Sequence, residues 1–96
     1  MAKNKAKTNN GKKRVCFEVE AEAGSKVYLV GGFNAWDVGK KELVDKDGCG
    51  VYKCIVMLTP GTHEYKFVIN DEWYLDPSNT QFVTNDHGTL NSLLEV

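Results

Sequence analysis

The apolar residues of this chain recur every second position, in runs of four to eight residues that turn residues break about every ten positions. Val15, Phe17, Val19 and Ala21 alternate with Cys16, Glu18, Glu20 and Glu22. Tyr52, Cys54, Val56 and Leu58 share a parity, as do His63, Tyr65, Phe67 and Ile69 against Glu64, Lys66 and Val68. A period of two is that of a strand with one buried face. No segment carries a sustained helical period. Ala23-Gly24-Ser25, Gly31-Gly32, Asp45 to Gly50, Thr59-Pro60-Gly61 and Asp76-Pro77-Ser78-Asn79 interrupt the runs. Asn70-Asp71 reads as a tight hairpin turn between Ile69 and a return strand over residues 72–75. A short apolar piece falls at Leu43-Val44, and a polar stretch after residue 79 leads to a last strand near Leu90 to Val96. About seven short strands so spaced predict an all-β, immunoglobulin-like β-sandwich.

With 96 residues the chain has room for one domain, and 42% hydrophobic residues suffice for its core. The formal charge of -1 is unevenly placed. Residues 1–14 hold Lys3, Lys5, Lys7, Lys12, Lys13 and Arg14 and no acid, which predicts a flexible, disordered basic tail before a domain over 15–96. That domain has six lysines against all 13 acids, a net of -7. A net-acidic body argues against a nucleic-acid groove. No apolar run is long enough to cross a membrane, and no secretory signal or Asn-x-Ser/Thr acceptor is seen. Three cysteines, Cys16, Cys49 and Cys54, without such a signal point to reduced thiols in a cytoplasmic protein. Cys54 is expected as a small core residue. No spaced His/Cys ligand set suggests a metal.

Trp36, in a loop between turn residues, and Trp73, just past the hairpin turn, are the first candidates for function. A flat ring suits the C–H face of a pyranose, and its N–H offers a polar contact; the alternative is that each packs in the core or caps the sandwich. Lys66 lies between inward-pointing Tyr65 and Phe67 and so projects from the outer face, where its ammonium has three protons to donate. Thr89 and Asn91 are two apart and share a side; an asparagine amide offers donor and acceptor to vicinal hydroxyls. Catalysis has less support. Asp71, Glu72 and Asp76 are the acids near Trp73, a glycosidase needs two carboxylates flanking a cleft, and no Gly-x-Ser-x-Gly, His-Glu-x-x-His or phosphate loop is present.

These residues fall within runs that resemble a known family. Val27 to Asp37, with Gly31-Gly32-Phe33-Asn34-Ala35-Trp36, is similar to the opening of glycogen-binding modules. Leu58 to Phe67, Trp73 followed by Asp76-Pro77, and Gly88-Thr89-Leu90-Asn91 match three further motifs in the same order. Such modules occur in the beta subunit of AMP-activated protein kinase and at the N-termini of isoamylases, pullulanases and branching enzymes. The resemblance implies an early-set sandwich that binds α-1,4-glucan such as glycogen or a maltooligosaccharide, without catalysis or cofactor. It implies Trp36 and Trp73 as stacking platforms and Lys66, Thr89 and Asn91 as hydroxyl contacts. His87 stands where the kinase subunit's module carries a leucine beside the sugar ring, and is expected to stack or hydrogen-bond there. Two rival expectations remain: a protein-interaction domain docked on a glycogen-metabolising enzyme, and the front of a larger hydrolase or branching enzyme.

Overall fold

The computed structural model describes residues 11–96; the basic segment over 1–10 lies outside the described residues. Among the described residues eight strands follow one another: β1 Lys13–Glu20, β2 Val27–Gly31, β3 Glu42–Leu43, β4 Val51–Leu58, β5 Thr62–Ile69, β6 Glu72–Tyr74, β7 Phe82–Thr84 and β8 Leu90–Glu95, with a 3-10 turn, Gly32–Asn34, after β2. All paired neighbours are antiparallel. The smaller sheet is β1 beside β4; the larger runs β3-β2-β5-β8-β7, with β6 added to β5. The fold is thus the all-β, immunoglobulin-like sandwich expected of an early-set domain.

Between the sheets the alternation is realised, with Val15, Ala21, Val56 and Ile69 only partly buried. Phe17 and Val19 of β1, Tyr52, Cys54 and Leu58 of β4, Val27 and Leu29 of β2, Leu43 of β3, and Tyr65 and Phe67 of β5 are buried in one cluster. Its centre is aromatic: Phe17 meets Tyr65 edge-on at 4.9 Å, and Tyr65 meets Phe67 at 5.9 Å between centroids. Such pairs add to the burial itself. Tyr65 Oη donates to Asp76 Oδ2 at 2.7 Å, Asn79 Nδ2 donates to the same Oη at 3.0 Å, and the Ser78 N–H and Oγ donate to Asp76 Oδ1. Burial and then the Asp76 bond push the Tyr65 hydroxyl well above the usual tyrosine range. Asp76, one of the acids near Trp73 in sequence, is 8% exposed and holds the crossing after β6 in place.

Three details depart from the sequence expectation. First, β1 begins at Lys13 rather than Val15, because Leu58 and Met57 at the end of β4 pair with Lys13 and Arg14. Second, the polar stretch hides a short strand, β7, whose Phe82, Val83 and Thr84 pair with Ser92, Asn91 and Leu90. Third, Val68 shares the outer face with Lys66, yet is only 2% exposed, and Val30 on the same face is fully buried. Buried valines on an outer face need cover. In the register Val68 lies between Tyr28 and Trp73, and Val30 lies opposite Lys66.

Two predictions follow from the packing. A Cβ at Gly31 would stand 2.6 Å from the Glu64 carbonyl oxygen and 2.6 Å from the Phe33 ring, while the backbone there is extended and open to any residue. Gly31→Ala is therefore expected to cost about 1–3 kcal/mol through overpacking alone, read as a lower urea midpoint at unchanged m-value. Burial pushes the Cys54 thiol from 9.0 to about 11, whereas Cys16 and Cys49 are exposed. Titration with a thiol reagent at pH 8 should count two fast thiols and a third released only on unfolding. The Cys54 contribution to stability is present below its unfolded pKa and fades as pH rises from 9 through about 11.

Candidate functional site

Trp36 owes its position to the turn that ends β2. The Asn34 side chain closes it: Oδ1 accepts from the Gly31 N–H at 3.0 Å and Nδ2 donates to the Leu29 carbonyl at 3.0 Å. The Trp36 N–H then donates to the Gly31 carbonyl at 2.9 Å. Ala35 and Trp36 both take left-handed backbone angles, φ 59° and 58°, a conformation that costs an L-residue about 1–2 kcal/mol and is held only where the surroundings impose it. The indole is left half-buried, outside the inter-sheet core.

Trp73 is placed by the next hairpin. Asn70 and Asp71, at φ 51° and 71°, are the two central residues between paired Ile69 and Glu72, the signature of a type I′ turn. The Asn70 side chain is anchored on both sides: Oδ1 accepts from the Lys26 N–H at 3.0 Å and Nδ2 donates to Ser25 Oγ at 3.2 Å. The tight turn sets Trp73 directly opposite Val68, on the outer face, where it remains 48% exposed.

The third wall is the segment from β7 to β8. Thr84, Asn85, Asp86, His87 and Thr89 border, with Asn91 of β8, Glu64 and Lys66 of β5 and the two tryptophans, an open hollow of ≈ 660 Å³. All six residues expected at a site, Trp36, Lys66, Trp73, His87, Thr89 and Asn91, line it. They differ in reach. Trp73, His87 and Thr89 are exposed, Trp36 and Lys66 half-buried, and Asn91 is 5% exposed. Asn91 is tied down, its Nδ2 donating to Glu64 Oε1 at 2.9 Å. Lys66 Nζ donates to Thr89 Oγ1 at 3.3 Å.

Four lining residues were not anticipated, Glu64, Thr84, Asn85 and Asp86, and two of them bond to expected ones. Glu64 shares Lys66's strand face two positions away, so the parity that selects Lys66 selects it as well. Asn85 links the turn to the floor. Its Oδ1 accepts from the N–H groups of His87 and Thr89, and its Nδ2 donates to Thr89 Oγ1 at 2.7 Å and Asn91 Oδ1 at 3.0 Å. Asn-Asp-x-Gly is turn chemistry, but sequence spacing alone does not show which groups the amide reaches. Asp76 and Glu72, the acids flanking Trp73 in sequence, are outside the hollow; Glu72 accepts from the Tyr74 hydroxyl at 3.0 Å. Among the described residues no three His, Cys, Asp or Glu side chains gather as a metal site, and no helix is long and apolar enough to cross a membrane.

Comparison with known proteins points in one direction. Residues 14–96 match the family model described as the glycogen recognition site of AMP-activated protein kinase. The chain is 37% identical to the 5'-AMP-activated protein kinase subunit beta-2 of Mus musculus over 76 residues, 79% of this chain and 27% of that subunit. It is 36% identical to the beta-1 subunits of Sus scrofa and Homo sapiens over 73 residues, 76% of this chain, covering 56% and 25% of those proteins. It thus spans about a quarter of the length of most of these curated relatives.

The Asn34 clamp generates a test of the Trp36 loop. Asn34→Ala leaves the Gly31 N–H and Leu29 carbonyl unpaired, at a cost of about 1–3 kcal/mol. In a Trp73→Phe background, where Trp36 is the remaining indole, the substitution should raise acrylamide quenching as the loop loosens. Unchanged quenching would show that the clamp does not hold the ring.

Proposed function

The chain belongs to the family of the glycogen recognition site of AMP-activated protein kinase, and we propose that it is a non-catalytic module that binds α-1,4-glucan, as glycogen or maltooligosaccharide, in the hollow between Trp36, Trp73 and the turn before β8. The observation that carries this reading is the convergence of both indoles with Lys66, His87, Thr89 and Asn91, among eight polar lining residues, on one open recess outside the core.

The chemistry suits a neutral polyol. Each indole that covers about 100 Å² of a pyranose's C–H face contributes roughly 2.5 kcal/mol before ordering costs. Trp73 is the larger free platform, and Trp36 supplies a second aromatic wall. Lys66 retains protons beyond the one given to Thr89 and donates them to sugar hydroxyls. The exposed Thr89 hydroxyl and the His87 ring stand on the opposite rim. Asn91, almost wholly buried, works mainly from behind the rim. The hollow is open and its contacts few, so the affinity belongs in the micromolar to millimolar range, about -8 to -4 kcal/mol.

In this reading the module works in the cytoplasm with reduced thiols and brings whatever it is attached to, or bound by, onto a glucan particle. The similar proteins are kinase subunits by name, which supports a regulatory or enzymatic partner rather than chemistry within the module. Cofactors have no part in it.

The test is a maltoheptaose titration followed by intrinsic tryptophan fluorescence, with native electrophoresis through glycogen. The wild-type chain should shift in both. Trp73→Ala should weaken binding at least about tenfold, the loss of one stacking contact, while the thermal melt stays within a few degrees. No fluorescence response to maltoheptaose in the wild type would refute glucan binding and favour a protein-docking role. Turnover of amylopectin by the pure chain would overturn the non-catalytic reading.

A further inference from the structure

The polar wall of the hollow is one chain of hydrogen bonds whose polarity is fixed at both ends. At one end, Asn85 Oδ1 faces two backbone N–H groups, those of His87 at 2.9 Å and Thr89 at 3.1 Å. Backbone N–H groups only donate, so the amide is locked with its oxygen toward the turn and its nitrogen toward the hollow. Nδ2 then donates to Thr89 Oγ1 at 2.7 Å and to Asn91 Oδ1 at 3.0 Å. At the other end, Glu64 accepts from Asn91 Nδ2 at 2.9 Å. A carboxylate only accepts, so Asn91 is oriented the same way from the opposite side.

Thr89 sits where two such donors meet. Its oxygen accepts from Asn85 Nδ2 and, at 3.3 Å, from Lys66 Nζ, which can only donate. A hydroxyl has two lone pairs and one proton. With both lone pairs engaged, the proton is left for something other than the wall.

We infer that Asn85 is a positioning residue for the glucan site: by filling a lone pair of Thr89 it sets the Thr89 hydroxyl as a hydrogen-bond donor into the hollow. This rests on the glucan reading for its ligand. The group so presented meets an acceptor oxygen of the sugar, whether hydroxyl, ring or glycosidic. On the same wall the exposed carboxylate of Glu64 takes the reverse role and accepts from sugar hydroxyls. The wall thus offers donor and acceptor in a fixed order, organised before the ligand arrives, and preorganisation lowers the ordering cost of binding.

Substitutions at Asn85 separate this role from simple support of the turn. Asn85→Asp keeps an oxygen for the His87 and Thr89 N–H groups, so the turn is retained, but a carboxylate accepts from Thr89 Oγ1 and draws its proton out of the hollow. Asn85→Ala loses the turn bonds but leaves the hydroxyl free to rotate. The expected order of maltoheptaose affinity is wild type, then the Ala variant, then the Asp variant, with about tenfold lost in the last for a hydrogen bond to a polar ligand. A merely structural role would put the Asp variant above the Ala variant. In a Thr89→Val background, which lacks the hydroxyl, the Asp substitution should cost less than in the wild type, only what the lost donor to Asn91 Oδ1 takes away, a double-mutant coupling that support of the turn alone would not produce. An Asp variant that binds as well as the Ala variant, or an Asp penalty of equal size in both backgrounds, overturns the inference. The free protein provides an independent readout by NMR. The Asn85 side-chain amide protons should shift in Thr89→Val, and resonances that stay put would refute the contact. A wild-type chain that fails to bind maltoheptaose would refute the glucan reading, while these amide shifts still decide the polarity of the wall.

Discussion

The structure turns on strand β5, because its two faces are committed to different tasks with no residue between them to spare. Tyr65 and Phe67 fill the aromatic centre of the sandwich, while Glu64 and Lys66 border the hollow and Val68 forms part of its apolar backing. β5 is also paired along both sides: β2 lies along Tyr65 to Ile69 on one, and β8 and β6 divide the other between Thr62–Tyr65 and Phe67–Ile69. A register slip of one residue would carry Lys66 into the core and Phe67 out to solvent. The burial of two large aromatic rings therefore fixes the orientation of the site, and the outer face needs little energy of its own to be well placed.

The same economy governs the two tryptophans. Neither is held by packing in the core; each is delivered by a turn whose backbone is left-handed at residues other than glycine. In both turns an asparagine amide supplies the compensation, Asn34 for the Trp36 loop and Asn70 for the hairpin. A third amide, Asn85, accepts from the backbone of the turn carrying His87 and Thr89, where the left-handed residue is Gly88. Asparagine is suited to this because its short amide both accepts from and donates to nearby groups and tolerates the left-handed region. The three walls of the hollow are thus rigid loops on a sheet, each set by one side-chain amide.

The sequence made some of this legible and left some unreadable, for physical reasons. Period-two alternation in β1, β4 and β5 identified the buried face because it reports which side of a pleat meets the other sheet, and the Asn70-Asp71 turn was recoverable because its two-residue length selects a conformation. Alternation does not show that Val30 and Val68, on the wet parity, are covered, since that depends on long side chains from neighbouring strands. β7 was unreadable because three residues of pairing leave too short a pattern. The alternation of β1 reads from Val15 while the strand begins at Lys13, because strand ends are decided by the partner strand's length, which is non-local. Asn91 read as an exposed hydroxyl contact and is nearly buried, because its alternate-residue face is closed by Asn85 and Glu64 from two other segments.

The charge in the hollow bears on which ligands it can favour. Lys66 is the cation among its lining residues, and Glu64 and Asp86 are the carboxylates. A phosphate or a nucleic-acid strand would meet more negative than positive charge there, on a domain whose residues 15–96 carry a net of -7, and the repulsion would reach across about 8 Å at physiological salt. A cationic ligand would be opposed at close range by the Lys66 ammonium. A neutral ligand with many hydroxyls avoids both costs and uses each charged group as a strong donor or acceptor. Aromatic walls add attraction that needs no charge. The combination that disfavours either sign of ion is therefore the one that the proposed glucan ligand requires.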